Sequence, residues 1–295
     1  MKRRQFIQIL MATAASGALT PLSSANWYRQ EILMGIFPRR NTKVTYRMFS
    51  TLASHLSAMY GAPVKLESAK NFKQFWENVQ QQKYDLVHFN QYHYVVAYAN
   101  HGYQAIAMNE ENGSKTLSGS IITRKDSGIE TLADLKDKTI VFGGGPRAMQ
   151  SFIIPTWLLE KQGISKDQYK TEFARTPPNA IFSVYHKQAD AAGAGDAALK
   201  MKQVQKAIQV SNLKYLALSD PQPHLPWAIS TTMPEEQSKR LQSALLSMND
   251  DPFGKIILKK AGLTAIHPAV DSDYDGARKI IVDVYGEDFG VSQLK

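Results

Sequence analysis

Short runs of β-forming apolar residues alternate with amphipathic stretches of helical period along nearly the whole chain. No other feature constrains the fold as tightly. Residues 31–36 read as a strand, and 42–59 as a helix with Val44, Met48, Leu52 and Leu56 on one face. A strand at 63–66, a helix at 72–82, a strand at 85–89, a helix at 92–100 and a strand at 104–108 come next. A second series starts at 119–123 and runs through 132–135, 139–142, a helix from 147 to 162, 171–174, a helix at 178–188, 189–192, a helix at 196–205 and a strand at 214–218. Residues 227–230 and a helix at 235–248 lead into further helices. Strand–helix–strand order with few hairpin signals predicts an α/β chain with mainly parallel sheets. Two such units with a ligand between them are expected, because open parallel sheets bind at the carboxyl ends of their strands.

At 295 residues with 43% hydrophobic and 21% charged, the chain can bury a substantial core and is neither disordered nor polytopic. It has no cysteine, which removes disulfides, thiolate metal sites and a thiol nucleophile. The formal charge of +9 is scattered, and no basic block is interleaved with base-stacking aromatics. The excess predicts mild attraction for anions, with no nucleic-acid partner.

The first 25 residues have the three parts of an export signal. Lys2-Arg3-Arg4 is the positive end, 6–19 is a weakly apolar stretch too short to span a bilayer, and Ser23-Ser24-Ala25 offers a cleavage site. Arg3-Arg4-Gln5-Phe6-Ile7-Gln8 resembles a twin-arginine export motif, with Lys2 where Ser or Thr is usual. A periplasmic protein, cleaved near Ala25 and spanning no membrane afterwards, is expected.

The segment most informative about chemistry is Phe142-Gly143-Gly144-Gly145-Pro146-Arg147-Ala148-Met149-Gln150-Ser151, between a strand and a helix. A Gly-rich turn into a helix start presents free amides and the positive dipole end to an anion. Arg147 adds a charge-assisted donor. The plainer alternative is a strand–helix turn with Arg147 in solvent. The segment has neither the Gly-Lys-Ser/Thr end of a nucleotide P-loop nor a GxGxxG signature. The run from Asp271 to Gly276 opens like a calcium loop, but Val282 stands at its twelfth position, so the acids read as helix caps. His88, His93 and His101 lack convergent spacing for a metal, and there is no HExxH, GxSxG or nucleophile–base pair. No enzyme activity, metal or cofactor is expected.

Several stretches together resemble the substrate-binding proteins of ABC transporters for phosphonate, phosphite and phosphate. They are Gly35-Ile36-Phe37-Pro38-Arg39, Tyr84-Asp85-Leu86-Val87-His88-Phe89-Asn90 with Tyr94, Ile121-Ile122-Thr123-Arg124-Lys125-Asp126-Ser127-Gly128-Ile129, and Leu132-Ala133-Asp134-Leu135-Lys136. Phe142-Gly143, the run from Pro155 to Gly163, Asn179-Ala180, Lys187-Gln188-Ala189-Asp190-Ala191-Ala192 and Pro226-Trp227 complete the set. The resemblance implies a two-lobe type II periplasmic binding fold with a discontinuous first lobe and hinge strands. It places lobe 1 at 26–117 and 219–295 and lobe 2 at 118–218.

The resemblance also implies a site. In the family the glycine loop holds phosphonate oxygens with successive hydroxyl residues, whose places here are taken by Ala148, Met149 and Gln150. Gly145, Arg147 and Ser151 complete the loop's set. Phe37, Arg39, Asn90, Gln91 and Tyr94 would face it from the first lobe, although the register equally admits Tyr92. Thr176, Asn179 and Asp196 are further candidates, with helix capping the competing role for Thr176 and Asp196. Where aminoalkyl-binding members carry a carboxylate this chain has His224-Leu225, which argues against an amine and leaves His224 a ligand or a structural turn residue. The implied function is a monomeric binding protein that clamps a small oxyanion and delivers it to an ABC transporter permease. A sensor subunit for a membrane histidine kinase is the alternative, and an enzyme on the same fold a third.

The leader generates its own test. Fused to a reporter, residues 1–30 should direct it to the periplasm, and Arg3→Lys with Arg4→Lys should abolish export. Continued export of the double variant, read by cell fractionation, would point to the general secretory route instead.

Overall fold

The computed structural model describes residues 31–292. The export leader lies outside them.

The chain begins with β1 (Ile32–Ile36), α1 (Thr42–Tyr60), β2 (Val64–Glu67), α2 (Phe72–Gln80), β3 (Leu86–His88), α3 (Gln91–His101) and β4 (Tyr103–Glu110). It continues with β5 (Thr116–Leu117), β6 (Gly119–Arg124), β7 (Thr139–Gly143), α4 (Ile154–Glu160), β8 (Lys170–Ala174), α5 (Pro177–Tyr185), β9 (Ala191–Gly195), α6 (Lys202–Ala207) and β10 (Leu213–Leu218). It ends with β11 (Gln222–Pro223), β12 (Pro226–Ser230), α7 (Glu235–Ser247), α8 (Pro252–Ala261), β13 (Ala265–Pro268) and α9 (Asp275–Tyr285). One sheet has the order β13-β4-β12-β3-β1-β2 and the other β10-β6-β9-β7-β8. Two crossing segments join them, and these pair with each other antiparallel, Leu117 opposite Gln222 and Thr116 opposite Pro223.

Helix boundaries follow side-chain chemistry. Asn41 starts α1 by accepting the Val44 amide at 3.0 Å, and Gly61 ends it at φ 85°, a left-handed conformation that glycine adopts without cost. Phe49, Leu52, Leu56 and Tyr60 on its inner face are buried against the first sheet. They join Leu241, Leu245 and Leu258 from α7 and α8 in one apolar layer. A second layer on the opposite face of that sheet runs without a break from Tyr94 and Ile281 to Phe142, Phe152 and Ile153 of the second. A third, with Ile181 and Val184 of α5, covers the far side of the second sheet.

The sheets are mixed, which corrects the expectation of mainly parallel ones. β1 runs parallel to β2 and β3, and β7 parallel to β8 and β9. Strands that lead into or return from a crossing run the other way: β12 is antiparallel to β3 and β4, and β6 to β9 and β10. Residues 132–135 form a 3-10 turn, because Asp134 accepts the Thr131 and Glu130 amides and closes the backbone locally. The helix expected over 147–162 is a widened π-type turn at Met149–Ile153 leading into α4. Pro155 has no N–H for the carbonyl four residues earlier, and the wide turn accommodates that loss. Residues 196–205 split into a turn at Ala198–Lys200 and α6, not one helix.

A buried polar chain locks β3, β4 and β12 together. Asn109 Oδ1 accepts the Trp227 indole N–H at 2.8 Å, and its Nδ2 donates to His88 Nε2 at 2.8 Å. All three side chains are almost fully buried. Asn109→Ala strands both partners, and each orphaned group costs about 1–3 kcal/mol. The variant should lose roughly 2–4 kcal/mol in urea unfolding at unchanged denaturant dependence. A loss below about 0.5 kcal/mol would show that the network contributes little.

Candidate functional site

The glycine loop after β7 is shaped by three different demands. A Cβ on Gly143 would lie 2.3 Å from Pro177 Cα, so only glycine lets the start of α5 abut the loop. Gly144 sits at φ 148°. Gly145 faces open space, where a Cβ would meet nothing within 4 Å. The Phe152 and Ile153 amides both donate to the Ala148 carbonyl, at 2.9 and 3.1 Å. The amides of Met149, Gln150 and Ser151 precede these first intrahelical bonds and form the electropositive helix start. The Met149 side chain turns into the core, and Ser151 Oγ donates to the Gly143 carbonyl at 3.0 Å. What the loop offers outward is backbone N–H, with Arg147, Ala148 and Gln150 half-buried around it.

The first sheet's helices meet this loop directly. Asn90 caps α3 by accepting the His93 amide at 2.8 Å, and its Nδ2 donates to the Arg147 carbonyl at 3.2 Å. The Tyr285 hydroxyl donates to the Pro146 carbonyl at 2.5 Å. The Arg147 guanidinium lies close to the Tyr92 hydroxyl, which donates to the Phe289 carbonyl at 3.0 Å. Arg147 makes no ion pair among the described residues. Tyr94 lies two residues beyond Tyr92, about 200° round the helix, and so faces the interior. It is fully buried, donates to Asp271 at 2.7 Å and accepts the Ala105 amide at 3.1 Å. Of the two tyrosines that the register allowed, Tyr92 is the one at the loop.

Thr176 and Asn179 are exposed at the start of α5, beside Gly143, where Thr176 Oγ1 accepts the Asn179 amide at 3.4 Å. A second group gathers where the chain crosses between the sheets. Gln91 is fully buried, with Nε2 donating to the Pro223 carbonyl at 2.8 Å. The next residue, His224, accepts the Leu225 amide on Nδ1 at 2.8 Å. Asp196 accepts the Ser118 amide at 3.3 Å and lies within electrostatic reach of His224. Arg39 sits over the buried Phe37 ring and pairs with Glu111 at 2.8 Å. Thus the loop residues with Asn90, Thr176 and Asn179 form one set, Gln91, Asp196, His224 and Arg39 another, and Tyr94 belongs to neither. Among the described residues no group of three or more His, Cys, Asp or Glu side chains is placed to hold a metal.

Tyr285 and Glu111 were not singled out in the sequence. Tyr285 reaches the loop from 139 positions away, a juxtaposition with no local signal. Tyr92 did have one: a helix capped at Asn90 places residue 92 in its first turn, close to whatever the cap touches.

Two sheets joined by paired crossing segments, meeting over a glycine-rich helix start, define a two-lobe α/β binding protein. A family model described as ABC transporter, phosphonate, periplasmic substrate-binding protein matches residues 34–274, and the chain belongs to that family. These are binding proteins and not enzymes. Three solved structures share the fold. A Xanthomonas citri protein bound to ATP superposes with a TM-score of 0.77 at 13% identity, covering 90% of this chain and 98% of that one. A binding protein component of an ABC phosphonate transporter from Pseudomonas aeruginosa gives 0.70 at 16% identity, covering 90% and 89%. PhnD1 from Prochlorococcus marinus in complex with methylphosphonate gives 0.72 at 18%, covering 87% and 99%.

Burial holds three histidines of this region neutral. It pushes His224 down to about 4 and His93 to about 3, with Arg147 adding to the effect on His93, and it lowers His88 well below its ordinary value. The unfolded chain protonates near pH 6.5, so below that pH it binds protons the native state refuses. The resulting stability is complete above about pH 6.5 and is lost progressively as pH falls toward the folded-state values. Urea midpoints should therefore drop between pH 6.5 and 4. His93→Phe, which keeps the stack on Phe72, should reduce that slope by close to one proton. An unchanged slope would mean His93 is not held neutral.

Proposed function

We propose that the protein captures a small phosphorus oxyanion (phosphonate, phosphite or phosphate), closes two lobes over it and delivers it to the permease of an ABC transporter. Membership of the phosphonate-type family gives the transporter role, and the ligand is our reading. The observation that supports it is the glycine loop: Arg147 has no ion-pair partner among the described residues, and in the chain it stands between Gly145, which faces open space, and the helix-start amides of Met149, Gln150 and Ser151. A guanidinium without a carboxylate partner, next in the chain to a helix start, suits a tetrahedral oxyanion. The methylphosphonate bound to the Prochlorococcus protein and the ATP bound to the Xanthomonas protein both carry phosphorus oxyanions, which supports the same chemistry here. In this reading lobe 1 comprises 26–117 and 219–295, lobe 2 comprises 118–218, and the segments at β5 and β11 act as the hinge. Export by the leader, through the twin-arginine route, would put the protein where a permease can receive its cargo.

Gly145, Arg147, Ala148 and Gln150 would supply the loop side of the site, and Asn90, Gln91, Arg39 and His224 the opposite side. Met149 and Ser151 would contribute only their amides. Losing a charge-assisted partner costs on the order of 1.5–3 kcal/mol, so Arg147→Ala should weaken methylphosphonate or phosphate binding roughly tenfold to a hundredfold. Gly145→Val should weaken it as much while leaving the fold intact, since a Cβ there meets no atom of the surrounding protein within 4 Å. Trimming the core-facing Met149 to Ala should spare the anion contacts. Calorimetric titration of the three variants with methylphosphonate, phosphate and phosphite, alongside circular dichroism, makes the comparison. Wild-type affinity in Arg147→Ala would place the anion elsewhere.

A further inference from the structure

Three side-chain polar atoms near the crossing between the sheets are sealed from solvent and have no hydrogen-bond partner: Gln91 Oε1, His224 Nε2 and Gln150 Nε2. Buried polar groups are nearly always paired, so three orphans in one region call for an occupant. The chain brings them together. Gln91 is tied to the Pro223 carbonyl, immediately before His224. His224 lies within electrostatic reach of Asp196, which holds the Ser118 amide. The Gln150 side chain packs over Gly195, where a Cβ would come within 3.5 Å of it and 3.8 Å of the Ser118 carbonyl.

The hydrogen-bond character of two of these atoms is fixed by their neighbours. Because Gln91 Nε2 must donate to the Pro223 carbonyl, the free atom of that amide is the acceptor Oε1. Because His224 Nδ1 accepts the Leu225 amide, the ring proton of the neutral histidine sits on Nε2, which is a donor. Gln150 Nε2 is a second donor. One acceptor and two donors are the complement of a hydroxyl group, which offers one O–H and two lone pairs. An ammonium offers three donors and no acceptor, and would face the two N–H groups with nothing to give them. An alkyl group would leave all three buried and unpaired.

We propose that this cluster is a charge-neutral subsite for a hydroxyl on the organic arm of the ligand, so that the cargo is a hydroxyalkyl phosphonate or its phosphate-ester counterpart. This rests on the oxyanion reading above. Gln150 links the two halves, since its main-chain amide lies at the helix start and its side chain in the subsite.

Calorimetry with ethylphosphonate, 2-hydroxyethylphosphonate and 2-aminoethylphosphonate tests the assignment. The hydroxyl compound should bind at least about tenfold more tightly than either of the others, the worth of one to two neutral hydrogen bonds in a dry site. Gln91→Leu and, independently, Gln150→Leu should bring the hydroxyethyl-to-ethyl affinity ratio close to one, whatever each does to the affinity for ethylphosphonate itself. Equal affinity for the hydroxyethyl and ethyl compounds in the wild type would overturn the subsite and leave the three atoms to a trapped water. Tighter binding of the amine would overturn it in favour of a carboxylate such as Asp196. If none of the three compounds binds, the oxyanion reading falls and this inference with it.

Discussion

The backbone pairing of Thr116 and Leu117 with Pro223 and Gln222 is the contact on which the arrangement of the two sheets depends. The chain leaves the first sheet after β4 and returns into its centre at β12, so two segments must pass between the sheets side by side. Pairing them satisfies backbone groups that would otherwise need water in a crowded region. It also fixes the path of the chain beyond each segment: β6 enters the second sheet at once, and His224 is drawn beneath β4 by donating its amide to the Lys115 carbonyl at 2.9 Å. The Tyr274 hydroxyl donates to the His224 carbonyl at 2.9 Å and ties the base of α9 to the same point. The junction thereby becomes a place where side chains from both sheets are close and dry.

Dryness decides the chemistry there. Desolvation outweighs every charge near His224, including the acidic Glu111, Asp196 and Glu110, which act to raise its pKa. A histidine kept neutral is a directional donor and not a cation, and its tautomer is set by the neighbouring amide. In the proposed reading the charge for an anion comes instead from the loop side, at Arg147. Arg39, on the other side, is paired with Glu111 at 2.8 Å. On that reading charged recognition and neutral recognition fall to different residues, far apart in sequence.

How much of this was legible in the sequence depends on the range of the interaction involved. Strand and helix positions followed local periodicity, and the glycine loop announced itself because close packing on Pro177 and the backbone at Gly144 demand glycine. The π-type turn was less visible: Pro155 marks a lost donor, but whether a helix kinks, widens or stops there is settled by the packing of Gly193 against the Ser151 carbonyl, 42 positions away. Strand direction failed for a similar reason. Alternating strands and helices imply parallel pairing only while the chain stays in one sheet, and β12 arrives from the other. Within the candidate site, Asn90 and Arg147 were evident as residue types, whereas the Tyr285 contact depends on α9 folding back over α4. Tyr94 was drawn in by the family resemblance, in a register that equally admitted Tyr92; once Asn90 caps the helix, residue 94 turns inward.

The two bonds that the first sheet's elements make to the loop have a directional consequence. In a trans peptide the carbonyl and the following N–H point in opposite directions. The Tyr285 hydroxyl takes the Pro146 carbonyl, so the Arg147 amide is turned away from α9. Asn90 takes the Arg147 carbonyl, so the Ala148 amide is turned back toward Gly145, whose carbonyl it reaches at 2.9 Å. The peptide planes that open the helix are therefore oriented by Asn90 and Tyr285, residues of the first sheet's helices. In the proposed clamp, a loop shaped in this way would keep its present form only while the lobes are together. An anion that binds that form gains differential affinity for the closed state, which is the only means by which a ligand can close a clamp. The apolar layer running unbroken from Ile281 to Phe152 acts in the same direction, since separating the lobes along it would expose buried side chains. On the proposed clamp reading, closure would depend on the contacts of α3 and α9 with the loop as well as on the ligand.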